Sequence, residues 1–145
     1  MVDEMANAVA RAYLCEGMDP DETKRGLALV NPGAVVQTVR AGSVKNEFLV
    51  EMVAAQTLQA EASGSLLAKK PEIDLLLRLA GTTQISRAIG QEGAKKGEPF
   101  LAIVAGRAPP SRPPGFKGVE LPRKALSRTE LARVEAAALL GAEKP

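Results

Sequence analysis

The chain has 145 residues, of which 46% are apolar and 25% are charged, a composition typical of one folded globular domain. It contains no histidine and one cysteine, Cys15, which excludes serine–histidine and cysteine–histidine catalysis, histidine metal sites and an intramolecular disulfide. The carboxylates are scattered along predicted helices, a pattern that favours solvated helix faces over a catalytic pair. We therefore expect a protein that is not an enzyme and that uses no cofactor and no metal.

Charge is distributed unevenly along the chain. Residues 1–22 hold six acids against Arg11, whereas residues 106–128 hold six bases against Glu120, and more bases lie between positions 69 and 96. Such polarity can create a surface that attracts phosphate, although a solvated surface is the alternative for any single lysine. The acidic N-terminus lacks a basic region followed by a long apolar block, so we expect no signal peptide and a cytoplasmic location.

The first half of the chain alternates strand and helix patterns. A strand is predicted over residues 8–15, and Asp19 followed by Pro20 predicts a helix over residues 20–30. A β-branched run predicts a second strand over residues 34–39. The longest helix should follow Ser43 and end near residues 63–64. Its apolar stripe is formed by Phe48, Met52 and Ala55 with Leu49 and Val53 beside it, and Glu47 and Glu51 form a narrower polar face.

The second half begins with two short helices. Residues 71–80 carry core-facing apolar residues at helical spacing, and Gly81 predicts the end of that helix. Thr82 or Thr83 should cap a second helix that ends at Gly90. An apolar run over residues 99–106 predicts a central strand covered on both faces. A proline-rich loop follows, then an edge strand in GVEL, and Ser127 with Glu130 predicts a capping box on the last helix.

Helices inserted between strands predict a single α/β (α+β) domain over residues 1–145. We expect two layers, in which a small mixed or antiparallel sheet packs with several helices. Residues 107–115 form a proline-rich loop, and a basic C-terminal extension follows it.

The middle of the chain, roughly residues 34–106, resembles a known family. The features are a long helix after a short strand, a basic spacer, Glu72-Ile73 leading to LLLRLAGTTQISRAIG, and then the apolar strand. This order is similar to the small accessory subunit of the KEOPS (EKC) tRNA-modification complex in its archaeal type, the family that includes TPRKB. The N-terminal third agrees with the family only in layout, and the proline-rich and basic C-terminal segments look extended.

The resemblance implies a non-catalytic role. KEOPS supports the threonylcarbamoyladenosine (t6A) modification of tRNA, and another subunit performs the chemistry. This family docks on the kinase-like ATPase subunit and recruits tRNA through its single-stranded CCA acceptor end. The alternative is a protein–protein module that only regulates or anchors the ATPase without touching RNA.

The candidate RNA-binding residues lie on both sides of the hinge at Gly81. Splayed bases are recognised by planar or apolar contacts, with basic groups holding the phosphates. The chain has three phenylalanines, one tyrosine and no tryptophan, so isoleucines are the expected base contacts. The alternative for Ile85 and Ile89 is an ordinary core position. The candidates are Lys69, Lys70, Arg78, Thr83, Gln84, Ile85, Arg87 and Ile89.

Overall fold

The computed structural model describes residues 8–143, so the acidic segment that precedes Ala8 lies outside the described range. Within that range the chain forms four strands and five helices. The strands are β1 (Val9–Cys15), β2 (Val35–Arg40), β3 (Phe100–Gly106) and β4 (Val119–Glu120). The helices are α1 (Pro20–Val30), α2 (Glu47–Ser63), α3 (Pro71–Ala80), α4 (Ile85–Glu92) and α5 (Arg128–Glu143).

The four strands form one antiparallel sheet in the order β2-β3-β1-β4. Ile103 at the centre of β3 pairs with Ala12 of β1 on one side and with Gln37 of β2 on the other. Residues 119–120 form the predicted edge strand, which pairs only with Tyr13 and Leu14 of β1 among the described residues. The predicted α/β domain with a small antiparallel sheet and several packed helices is confirmed.

The central strand β3 is buried on both faces, as the apolar run predicts. Leu101 and Ile103 point into the larger core, where α2 and α3 lie on the sheet and α5 packs outside them. Phe100 and Val104 point to the opposite face, which α1 covers through Leu27. Because successive strand residues face opposite sides, a strand covered on both faces must be apolar throughout.

Side chains cap three of the helices, two of them where the sequence predicts. Asp19 accepts a hydrogen bond from the Glu22 N–H at the start of α1. Ser127 and Glu130 form a reciprocal capping box at α5, with N–H to oxygen distances of 3.0 and 3.1 Å. Asn46 caps α2 and also bonds the backbone of the segment that leads to α5, which ties the two helix starts together.

The predicted polar face of α2 is wrong, because its two glutamates point into the protein. Glu47 is 1% exposed and accepts a hydrogen bond from the Ala12 N–H, and Glu51 accepts one from the Ala10 N–H. Four residues of helix rise about 6 Å and two residues of strand about 6.6 Å, so both carboxylates reach alternate N–H groups of β1. Arg123 pairs with both glutamates. The carboxylates therefore close the edge of β1 beyond the short strand β4.

The proline-rich loop is fastened to the sheet. The Asn31 side chain bonds both the N–H and the C=O of Ser111 at 2.7 and 2.9 Å. The Arg112 guanidinium lies 5.0 Å from the centre of the Tyr13 ring and 5.4 Å from that of Phe116. These contacts make the segment a loop packed on the α1 face, as the sequence predicts.

Candidate nucleic-acid interface

The hinge that carries most candidate residues is built by a helix stop. Gly81 ends α3 with φ of 72°, a left-handed conformation that glycine adopts without strain, and its N–H bonds the Leu77 carbonyl at 2.9 Å. The predicted stop at Gly81 is confirmed. The chain then turns into α4, so residues 82–84 connect the two helices at the surface.

The predicted ends of α4 need correction. Its first flanking residue is Gln84, and the Thr82 hydroxyl accepts from the Gln84 N–H just outside the helix, so neither Thr82 nor Thr83 caps it. The helix continues past Gly90 to Glu92. The chain leaves the helix at Gly93 in an extended conformation, with φ of −65° and ψ of 144°. A side-chain Cβ at this position would lie 2.5 Å from the Ile89 carbonyl oxygen, so the position requires glycine.

Helix α4 exposes both of its large apolar side chains. Within the described range it buries only Ala88, while Ile85 is 47% and Ile89 is 52% exposed. The two isoleucines are four residues apart and therefore share one face of the helix. The alternative that they are ordinary core residues is not what the structure shows. The other candidates of this segment, Thr83, Gln84 and Arg87, are also exposed. Arg87 is two residues from each isoleucine and therefore lies on the other side of the helix.

Arg78 is wrong as a surface candidate, because its side chain is turned inward. It is 4% exposed, pairs with the buried Asp74 through a 2.7 Å contact from Nε, and donates from Nη1 to the Ala137 carbonyl at 3.1 Å. Asp74 also accepts from the Thr57 hydroxyl and the Leu67 N–H. The group joins α2, α3 and α5, and it leaves Arg78 without access to a phosphate on the surface.

Lys69 and Lys70 are exposed, but they lie at the other end of α3 from the hinge. Lys70 precedes the first residue of α3 and Gly81 follows the last. Ten helical residues separate the two ends by about 15 Å. Of the four basic candidates, Arg87 therefore lies near the hinge, Arg78 is buried, and Lys69 and Lys70 lie apart from the hinge.

Some of the basic side chains in the C-terminal segment make contacts within the protein. Arg112 bonds the Gly118 carbonyl and lies over two rings, and Arg123 pairs with Glu47 and Glu51. Lys117, Lys124 and Arg128 remain exposed. The excess of positive charge in the sequence of this segment thus overstates the charge available to a ligand.

One residue that sequence reasoning missed lies against α4. The Arg40 Nε donates to the Gln91 carbonyl at 2.8 Å and lies 3.3 Å from a carboxylate oxygen of Glu92. Next to it, Arg133 of α5 donates to the carbonyls of Ser43 and Leu79. Burial lowers the pKa of Arg133, and Glu92 opposes this effect. No local pattern marks Arg40, since its partners are 51 and 52 positions away in the sequence.

The cavities on the described part of the chain are shallow, and those with the best-defined linings lie away from α4. One of about 360 Å³ lies between α2, α3 and α5 and is lined by residues that include Gln59, Arg78 and Gly141. Across residues 8–143 no group of three histidine, cysteine, aspartate or glutamate side chains is arranged to hold a metal ion. In the same range no helix combines the length and the apolar character needed to cross a bilayer.

No protein-family model matches the chain, and no curated protein sequence matches it. The resemblance to the KEOPS accessory subunit stays a prediction from the order of motifs in residues 34–106.

Proposed function

We propose that this protein is a non-catalytic, cytoplasmic RNA-binding subunit of the KEOPS type, which recruits tRNA through its single-stranded CCA end. The observation that carries the proposal is the pair of half-exposed isoleucines, Ile85 and Ile89, on a short helix that also exposes Arg87 and that follows the exposed Gln84. Because α4 buries only Ala88 within the described range, packing inside the protein does not account for its two large apolar side chains.

The surroundings of the aromatic residues support isoleucines as base contacts. Phe100 is fully buried, Tyr13 and Phe116 pack edge to face with centroids 5.2 Å apart, and Arg123 lies over Phe48. These are all the aromatic residues of the chain, so none offers an open stacking platform. Ile85 and Ile89 would pack against splayed bases, Thr83 and Gln84 would read base edges, and Arg87 would hold a phosphate.

The proposal includes a protein partner, the kinase-like ATPase subunit of the complex. The exposed apolar side chains of α5, Leu131 at 47% and Leu139 at 59%, give this partner a surface separate from α4. The same observation favours the second candidate function, a module that anchors the ATPase without RNA contact. Gel filtration with the ATPase, with and without tRNA, separates the two functions.

Binding of labelled tRNA to surface variants tests the proposed site. Replacing Ile85 and Ile89 by serine should weaken binding at least about tenfold, since burying the exposed half of an isoleucine is worth about 1 kcal/mol and two such contacts are lost. Arg87→Glu should weaken binding and lower the slope of affinity against salt by about one. Leu29→Ser and Arg25→Glu are matched controls, because both residues are exposed on α1 across the sheet. Equal effects of the α4 and α1 variants would refute the site.

A further inference from the structure

Helix α4 is weakly attached to the rest of the protein. It has eight residues, and within the described range it buries only Ala88 and has no side-chain cap at Gln84. By contrast, α1, α2 and α5 each begin with a capping side chain. Short helices are marginal in water unless tertiary packing holds them, and elements with few buried contacts open at low cost. The docking of α4 therefore depends on a small number of contacts.

Besides the buried Ala88, which joins the core that α3 also lines, polar contacts hold the C-terminal end of α4. The Arg40 Nε donates to the Gln91 carbonyl, which is one of the last carbonyls that the helix leaves without an internal partner. The guanidinium also pairs with Glu92 at 3.3 Å and brings positive charge to the negative end of the helix. Beyond the helix, Gly93 forms an isolated bridge with Val39, the residue before Arg40.

We infer that Arg40 is a positioning residue that docks α4 on the edge of β2 and thereby sets the affinity of the surface carrying Ile85 and Ile89. A ligand that binds only docked α4 has its affinity reduced by the fraction of molecules in which the helix is undocked. Weakening the Arg40 contacts lowers affinity without removing any ligand contact. This inference rests on the proposed function only for the identity of the ligand, since the docking itself is a property of the free chain.

A direct role of Arg40 would predict a different pattern of variants. Arg40 is half exposed in its side chain, so a phosphate could in principle be its partner. Glu92→Gln separates the roles, because it leaves Arg40 in place and removes a negative charge. If Arg40 held phosphate, Glu92→Gln would strengthen RNA binding. If Arg40 positions α4, Glu92→Gln weakens RNA binding, as Arg40→Gln does.

The test combines amide hydrogen exchange of the free full chain, read by NMR, with binding of labelled tRNA. The informative amides are those from Ala88 to Gly93, since the Ala88 N–H bonds the Gln84 carbonyl and the Gly93 N–H bonds the Ile89 carbonyl. Arg40→Gln and Glu92→Gln should each lower their protection about three- to tenfold, as expected for losing one partly exposed charged contact. Protection in α3 should not change, and Arg25→Gln on α1 is the control.

The tRNA affinity of both variants should fall by a similar factor. Unchanged protection of α4 in Arg40→Gln, or tighter tRNA binding by Glu92→Gln, would overturn the inference. Reduced protection in both variants, found together with no tRNA binding by the unaltered chain, would support the docking role of Arg40 and refute the proposed function.

Discussion

Replacing Arg78 by methionine removes the positive partner of a carboxylate that has no exposure to solvent. Asp74 would keep the Thr57 hydroxyl and the Leu67 N–H, but its charge would be unpaired. The Ala137 carbonyl would lose its donor at the same time. We therefore predict that Arg78→Met causes a large loss of stability, although the sequence suggests that Arg78 is one of the surface bases.

The size of the loss follows from the burial of the pair. Breaking a buried ion pair by removing one partner costs about 3–5 kcal/mol, which is a large part of the total of about 5–15 kcal/mol for a domain. Asp74→Leu should cost a similar amount because it strands the guanidinium instead. The double variant should lose about 2–3 kcal/mol less than the sum of the single variants, since it leaves no unpaired charge.

Urea denaturation followed by far-ultraviolet circular dichroism measures the free energy of unfolding of all four proteins in this double-mutant cycle. They are the original chain, Arg78→Met, Asp74→Leu and the double variant. Arg78→Lys is a further variant, which keeps the charge but loses the fork that contacts both Asp74 and Ala137. Single variants that each cost less than about 1 kcal/mol and add without coupling would refute the placement of Arg78 in the core. Where Arg78→Lys stays folded, its tRNA affinity should remain within about twofold of the original, in contrast to Arg87→Glu.

Three further predictions concern a helix cap and two charged side chains. Ser127→Ala removes the hydroxyl that caps α5 and should cost about 1 kcal/mol in urea denaturation, whereas Ser86→Ala on the exposed face of α4 should cost little. Arg133→Ala leaves the Leu79 and Ser43 carbonyls without their donor and should cost about 2 kcal/mol, of which Arg133→Lys recovers only part. Burial raises the pKa of Glu47 above its ordinary value of 4.5, so the folded state binds that proton more tightly than the unfolded state. The stabilising contribution of this difference is present below pH 4.5 and is lost as pH rises through the folded pKa. Relative to Glu47→Gln, the original chain should therefore become less stable from pH 4 to pH 7, and an opposite trend in the unfolding free energy would contradict the assignment.

The features that the sequence predicts correctly are set by neighbouring residues. The stop at Gly81 requires a left-handed residue at one position, and the capping box requires Ser127 and Glu130 three positions apart. The central strand is recognisable because a strand buried on both faces has no room for polar residues. These signals are local, so no knowledge of the tertiary structure is needed to interpret them.

The errors concern charged residues whose partners are far away in the sequence. Glu47 meets Ala12 at a separation of 35 residues, and Arg78 meets Ala137 at a separation of 59. On an isolated helix each of these side chains is indistinguishable from a solvated one. The exposure of Ile85 and Ile89 is hidden for the same reason, since helical spacing shows that they share a face but not what covers it.

The central claim is that this chain holds the single-stranded end of tRNA at the α4 face. Fluorescence anisotropy with labelled tRNA, titrated with the full chain alone at fixed salt, tests it most directly when the CCA end is either present or enzymatically removed. We predict that removal weakens binding at least about tenfold, and that the Ile85→Ser, Ile89→Ser variant no longer distinguishes the two tRNAs. Equal affinity of the unaltered chain for both tRNAs would contradict the claim.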